Sequence, residues 1–183
     1  MLGPFRGIAL LTALTAATVT AAQGADLTKL VGHWSCKGNF SNGAPIAAQL
    51  SIEADAASGA LIVHHDDVPP GGYHSLEVWM PNKSGPGLRA ALSDKFSGMR
   101  WFESTGWVGD VLTWVRLADG APAEQFVYEL KANTLQVQWS IAKAGAMKVG
   151  DTIGCIAGAQ ASTTGGVPRT SRRDVLSPAY SIM

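Results

Sequence analysis

Two glutamates and a group of aromatic residues are the side chains of this sequence best suited to chemistry in a small pocket. Alternation over 73–80 and 99–107 places them on two strand faces. If both faces point inward, they form an aromatic pocket with one or two carboxylates, which suits a basic or hydroxylated apolar ligand. The alternative is that the tryptophans are core residues and the glutamates face solvent. We predict ligand binding by Tyr73, Glu77, Trp79, Trp101, Glu103 and Trp107.

The same glutamates define an enzymatic alternative. Two carboxylates in one apolar lumen raise the pKa of one of them, which then serves as a general acid beside a general base. The sequence holds no Gly-x-Ser-x-Gly motif, no phosphate-binding loop and no Cys–His nucleophile pair. We therefore assign no catalytic residue and favour a binding protein. A small-barrel enzyme using Glu77 and Glu103 is the alternative, and a structural or interaction protein with a filled barrel is the third option.

The stretch "VHHDDVPPGGYH" (63–74) contains residue types that ligate metals. Adjacent side chains on a strand point to opposite faces, so His64 and His65 cannot both bind one ion without a kink. His65 together with Asp67 or His74 is a possible ligand set. No spacing here matches a recognised metal motif, which favours a polar loop. We predict no metal site and no cofactor.

Nearly all of the central region alternates with a period of two, and Gly, Pro, Asn or Asp residues separate the alternating runs. The runs cover 33–40, 47–54, 60–65, 73–80, 88–93, 99–107, 110–116, 124–131, 134–141 and 149–157. Ten sequential antiparallel strands curl, and closure into a barrel removes their exposed edges. The pattern predicts an all-β fold, an up-and-down antiparallel β-barrel of about ten strands.

The two ends of the chain differ from this region. Residues 1–25 have the features of a signal peptide: Arg6, an apolar stretch over 8–19, and small residues before a cleavage point near Ala22 or Ala25. Residues 159–183 are rich in Gly, Ser, Thr and Pro and are predicted to form a disordered tail. The folded domain is therefore predicted over 26–158.

The composition of the chain restricts the classes of binding partner that the sequence predicts. The chain has 14 Lys and Arg and 14 Asp and Glu, so its formal charge is zero and nothing indicates a nucleic-acid partner. No segment after the signal is apolar enough to cross a membrane. The expected partner is a small hydrophobic ligand.

The two cysteines of the chain test the barrel prediction. Cys36 lies in the first predicted strand and Cys155 in the last, which closure places side by side. In an exported protein such a pair usually forms a disulfide. Two thiols or a soft metal site are the alternatives, and we favour the disulfide.

The start of the first strand carries a family resemblance. Leu30, Gly32 and Trp34 form L-x-G-x-W, which resembles the calycin group of lipocalins, fatty-acid-binding proteins and nitrobindin-like barrels. The pattern W-x-C-x-G, with a second Cys on the final strand, is more similar to lipocalin-like secreted proteins of bacteria. With the signal peptide, this resemblance implies a periplasmic or secreted protein.

Several features of the relatives are missing here. Only "SNGAPI" separates the first two strands, so the helical lid of fatty-acid-binding proteins is absent. Their Arg-x-Tyr carboxylate site is absent from the last predicted strand. Nitrobindin-like barrels bind haem through a His near the C-terminus, whereas the last His here is His74. The resemblance therefore implies the fold and supports no haem.

Overall fold

A computed structural model describes residues 26–118 and 120–158. The predicted signal peptide (1–25) and the predicted disordered tail (159–183) lie outside the described residues, so both remain predictions. Within the described part, a short 3-10 helix at Leu27–Leu30 precedes eleven strands. These strands are β1 (Gly32–Phe40), β2 (Pro45–Asp55), β3 (Ala60–Asp67), β4 (His74–Pro81), β5 (Leu88–Asp94), β6 (Gly98–Ser104), β7 (Trp107–Val108), β8 (Val111–Ala118), β9 (Ala121–Lys131), β10 (Thr134–Lys143) and β11 (Ala146–Ala157).

All of the strand pairings are antiparallel, and they follow the order β6-β5-β4-β3-β2-β1-β11-β10-β9-β8. A pairing of Glu103 in β6 with Val115 in β8 joins the two ends of this order. The two-residue strand β7 pairs with β8 beside that junction. The result is a closed ten-stranded antiparallel barrel, which confirms the predicted fold class and is consistent with a calycin-like fold.

The predicted sixth run, 99–107, is divided in the structure. Strand β6 ends at Ser104, and Trp107 begins β7. Gly106 lies between them with φ +93°, a left-handed conformation that glycine adopts readily. The chain turns here, and the wall between β6 and β8 is joined by one residue pair, whereas β1 and β2 share eight.

The first and last strands are neighbours, as predicted. Cys36 and Cys155 are directly opposite each other in the register of β1 and β11, and they form a disulfide. The disulfide therefore links β1 and β11, two strands whose backbones are already well paired. The sparsest pairing of the wall is elsewhere, between β6 and β8.

A dense aromatic and aliphatic core fills the end of the barrel where β1 begins. Trp79 packs against Trp114 and Tyr128, with ring centroids 5.1 and 5.0 Å apart. The 3-10 helix adds Leu27 and Leu30 to this core, and the Trp34 indole donates a hydrogen bond to the Leu30 carbonyl (2.9 Å). Burial of these side chains from water stabilises the closed end, so any interior space lies toward the opposite end.

Candidate functional site

The opposite end of the barrel contains an open cavity of about 480 Å³. Its lining comes from the last residues of β1, β3 and β5, residues near the start of β2 and β6, and inward positions of β9, β10 and β11. Loop residues 71–73 and 96–97 complete it. The apolar part of the lining consists of Phe40, Ile46, Phe96, Phe126, Val137 and Ile153. An apolar concavity of this size excludes water from a small organic molecule.

Aromatic rings define the shape of the cavity. Tyr73 and Phe96 stack at the rim with ring centroids 6.3 Å apart, and Phe126 meets Phe102 edge to face at 5.4 Å. Trp139 lies against the backbone of Gly150, where an added Cβ would come within 2.2 Å of its ring. Glycine at position 150 therefore allows the indole to sit flat against β11 and form part of the cavity wall.

A buried ionic network crosses the wall near the β6–β8 junction. The Arg100 guanidinium donates one terminal N–H to Asp94 and another to Glu124. Glu124, only 1% exposed, also accepts from Arg116 Nε at 3.0 Å and from Trp139 Nε1 at 2.8 Å. These charge-assisted bonds include a link from β6 to β9, Arg100–Glu124, across the junction where β6 and β8 share one residue pair. They also compensate the charge of the only arginine that lines the cavity within the described chain.

Other polar groups of the lining lack such partners. His65 Nε2 is buried without a hydrogen bond, 3.8 Å from Asp67 Oδ1. The other Asp67 oxygen, Oδ2, accepts the Tyr73 backbone N–H at 3.0 Å. Burial lowers the pKa of His65, so its imidazole is neutral at physiological pH and supplies no positive charge to the cavity.

Asp151 on β11 is a second cavity carboxylate without a basic partner among the described residues. Burial raises its pKa to about 6, and the nearby Asp67 charge adds to that rise. Tyr128 lines the same space and is 3% exposed. Burial, together with the Glu77, Tyr73 and Asp151 charges, raises its pKa well above the usual range, so the phenol is neutral.

Glu77 lies in the interior of the barrel. It is 5% exposed, and its carboxylate accepts hydrogen bonds from Trp79 Nε1 (2.8 Å) and Ser75 Oγ (3.0 Å). Burial raises its pKa to about 7, although both hydrogen bonds act in the opposite direction. A proton on this side chain is therefore exchanged close to neutral pH.

The structure places the six predicted ligand-binding residues in four different parts of the barrel. Tyr73 lines the cavity, and Glu77 and Trp79 share the interior face of β4. Trp107 is buried near the 3-10 helix, where its indole donates to the Asp26 carbonyl at 2.9 Å. Trp101 is 63% exposed and Glu103 pairs with Arg89 on the outer surface at 3.0 Å.

The register of β5 and β6 explains the outward orientation of Trp101 and Glu103. The buried residues Leu92 and Ala90 pair with Arg100 and Phe102, so those two residues take the inner face of β6. Alternation then places Trp101 and Glu103 outside. Glu77 and Glu103 consequently lie on opposite sides of the barrel wall, and the structure does not bring together the pair on which the enzymatic alternative depends.

Most polar residues of the cavity were not among the predicted site residues. They lie at strand ends that meet at one end of the barrel, and no local motif marks them. One signal was present in "EQFVYELK" (124–131), where Glu124, Phe126, Tyr128 and Leu130 alternate on one face. A carboxylate in line with aromatic and aliphatic residues indicates a buried acid, which requires a buried basic partner.

The histidine-rich stretch is divided between the two faces of β3, as alternation predicts. His74 Nδ1 and Asp66 Oδ1 are 2.8 Å apart on the outside, while His65 and Asp67 face the cavity. Residues 26–118 and 120–158 contain no group of three or more His, Cys, Asp or Glu side chains arranged to hold a metal ion. In the same residues, no helix has the length and apolar character needed to span a membrane.

Comparison with known proteins gives no family assignment. No protein-family model matches this sequence, and no curated protein sequence matches it either.

Proposed function

We propose that this protein is an exported, lipocalin-like barrel that binds one small, mostly apolar molecule in its cavity. The observation that carries the proposal is the open, largely apolar cavity of about 480 Å³ opposite a solid core. Small-molecule sites typically occupy about 300–1,000 Å³ and combine apolar walls with a few polar groups. A barrel with a purely structural role has no need of such a space.

Export is the second part of this proposal. A disulfide between the first and last strands suits an oxidising compartment, and the signal-like segment 1–25 suggests the route to it. The L-x-G-x-W start of β1 and the ten-stranded topology support a lipocalin-like relationship. Together they favour a periplasmic or secreted binding protein.

Fluorescence titration with 1-aminoanthracene, a neutral fluorophore that brightens in apolar surroundings, tests the binding proposal. We expect saturable enhancement with one site per chain. The buried cavity residue Val137 is a suitable position for blocking the site. Val137→Phe projects a ring into the cavity and should weaken dye binding at least tenfold, at a stability cost of about 1–3 kcal/mol.

Ile153→Phe is a second filling variant in case the first one does not fold, and circular dichroism checks both. Trp101→Ala is the matched control, because it removes a large aromatic group from the outer surface. It should leave dye affinity unchanged. Absence of saturable binding to the wild type, or loss of binding in Trp101→Ala with retention in folded Val137→Phe, would contradict the cavity as the binding site.

A further inference from the structure

The lining of the cavity contains more negatively charged groups than positively charged ones. Four of the lining residues are carboxylates, Asp67, Asp94, Glu124 and Asp151, against one arginine, Arg100. Asp94 and Glu124 are both bonded to Arg100, and Glu124 also binds Arg116. This part of the wall is therefore internally compensated and offers no uncompensated cation to an anionic ligand.

Asp67 and Asp151 are left without a cation. No Lys or Arg of the described chain lies within salt-bridge distance of either carboxylate, and the neutral imidazole of His65 stands 3.8 Å from Asp67. The Asp67 side chain is only 9% exposed. Lys95 is an exposed residue at the rim, where its ammonium lies beside Gly72 and 5.1 Å from the centre of the Phe96 ring, and it forms no salt bridge with either carboxylate. Burying carboxylates in this way is costly unless a positive charge joins them.

An independent observation points to a ligand at the same place. Tyr128 is only 3% exposed and lines the cavity, and its hydroxyl has no hydrogen-bond partner among the described residues. Two buried nitrogen atoms of lining residues, His65 Nε2 and Arg100 Nε, also have no hydrogen-bond partner among the described residues. Buried polar atoms are nearly always paired, so unpaired polar atoms on three residues of one cavity indicate a ligand that carries a polar group.

The surrounding rings suit a positive charge. Tyr73 follows the turn that brings its backbone N–H to Asp67, and its ring meets His65 edge to face at 5.1 Å. Phe96 stacks on Tyr73 at the rim. The electron-rich faces of aromatic rings attract ammonium groups, and a site poor in water strengthens that attraction.

We propose that the ligand is a cationic amphiphile: an apolar chain or ring system bearing one protonated amine, held by Asp67 and Asp151, with Tyr128 accepting a further N–H. The apolar body occupies the space between Phe126, Val137 and Ile153. This inference rests on the proposed function, since it assigns the chemistry of the molecule that the cavity takes.

Competition against 1-aminoanthracene with three compounds of equal chain length tests the proposal. Octylamine carries a positive charge at neutral pH, octanol is neutral and octanoate is negative. We expect octylamine to displace the dye at concentrations about tenfold below octanol, and octanoate to be the weakest competitor. A hydrogen bond to a charged group commonly changes affinity by about tenfold or more, which sets this expectation.

Single substitutions identify the carboxylates that bind the amine. Asp151→Asn and Asp67→Asn should each weaken octylamine about tenfold and leave octanol unchanged, because both substitutions keep the shape of the side chain. Asp66→Asn is the matched control: it alters the neighbouring residue on the outer face, where Asp66 pairs with His74. Tyr128→Phe should weaken octylamine by a smaller factor, about threefold. Thermal unfolding of each variant identifies any that does not fold.

The outcomes separate this inference from the proposed function. Dye and octanol binding without a preference for octylamine would overturn the cationic ligand and leave the apolar site standing. A preference for octylamine that persists equally in Asp151→Asn and Asp67→Asn would also overturn it. Absence of dye, octanol and octylamine binding would overturn the proposed function itself.

Discussion

Glu77→Gln should change how the stability of this protein depends on pH. In the folded barrel the pKa of Glu77 is raised from 4.5 to about 7 by burial, so the fold prefers the protonated acid. Stability is therefore fully retained below about pH 4.5 and falls as the pH rises through about 7. A difference of about 2.5 pKa units corresponds to about 3 kcal/mol, of which about 2–3 kcal/mol is lost between pH 5 and pH 8.

Glutamine at position 77 has no titratable carboxyl group but keeps the shape of the glutamate side chain. Its carbonyl oxygen can accept the Trp79 indole N–H and its amide can donate to Ser75 Oγ, so both hydrogen-bonded neighbours retain a partner. Asp151, with a pKa raised from 3.8 to about 6, contributes in the same direction over a lower range. The variant should retain the decline that Asp151 causes and lose the decline that Glu77 causes between about pH 4.5 and pH 7.

Urea unfolding followed by tryptophan fluorescence at several pH values measures the effect. The informative quantity is the difference between wild type and Glu77→Gln at each pH, which removes contributions common to both proteins. Glu103→Gln makes the same chemical change on the outer surface and should follow the wild type. Parallel curves for wild type and Glu77→Gln from pH 5 to pH 8 would refute a buried carboxyl that titrates near neutrality.

Two further predictions concern what holds the barrel together. Replacing Cys36 and Cys155 together with serine should lower the free energy of unfolding by about 4–5 kcal/mol, because the disulfide closes a loop with a sequence separation of 119; a loss below about 1 kcal/mol in urea unfolding would contradict this. Glu124→Gln should lower the free energy of unfolding by about 3–5 kcal/mol, because it leaves Arg116 without its buried counter-charge and Arg100 with Asp94 alone. Glu129→Gln, on the same strand, is its control, and equal melting temperatures for the two variants would count against the network.

The alternation of polar and apolar residues was sufficient to predict the barrel. On β10, Leu135 and Val137 are buried as their spacing predicts, and Trp139 lines the cavity. The pattern fails only beyond Trp139, where Ser140 rather than Ile141 is buried beside a bulge whose extra residue, Gly150, lies in β11. An isolated glycine inside a strand can mark a bulge, but the alternation of β10 by itself does not reveal a bulge in the neighbouring strand.

The orientation of β6 could not be predicted for a related reason. Both of its faces carry large side chains, and hydrophobicity favours Trp101 over Arg100 as the inner residue. The decisive contacts are distant in sequence: Arg100 is buried because Glu124, 24 residues away, and Asp94 supply its charge partners. Burial of a paired ion depends on three strands together, and no single run of sequence contains that information.

The residues that line the cavity could not be predicted for the same reason: their meeting depends on the register and order of several strands. The sequence presents His65 and Asp67 as candidate metal ligands because of their residue types. Nothing local showed that they meet Asp151, which comes from the last strand. Their common location follows from the order of the strands around the barrel, which brings the ends of β3, β6 and β11 to one opening.

A titration of the ¹⁵N-labelled protein with 1-aminoanthracene, followed through its tryptophan indole resonances, tests the cavity most directly. The chain has six tryptophans; Trp139 lines the cavity and Trp101 lies on the outer surface. Trp139→Phe and Trp101→Ala assign the two signals. Binding in the cavity predicts a saturable shift of the Trp139 indole while the Trp101 indole stays in place. A saturable shift of Trp101 with an unmoved Trp139 would contradict the account.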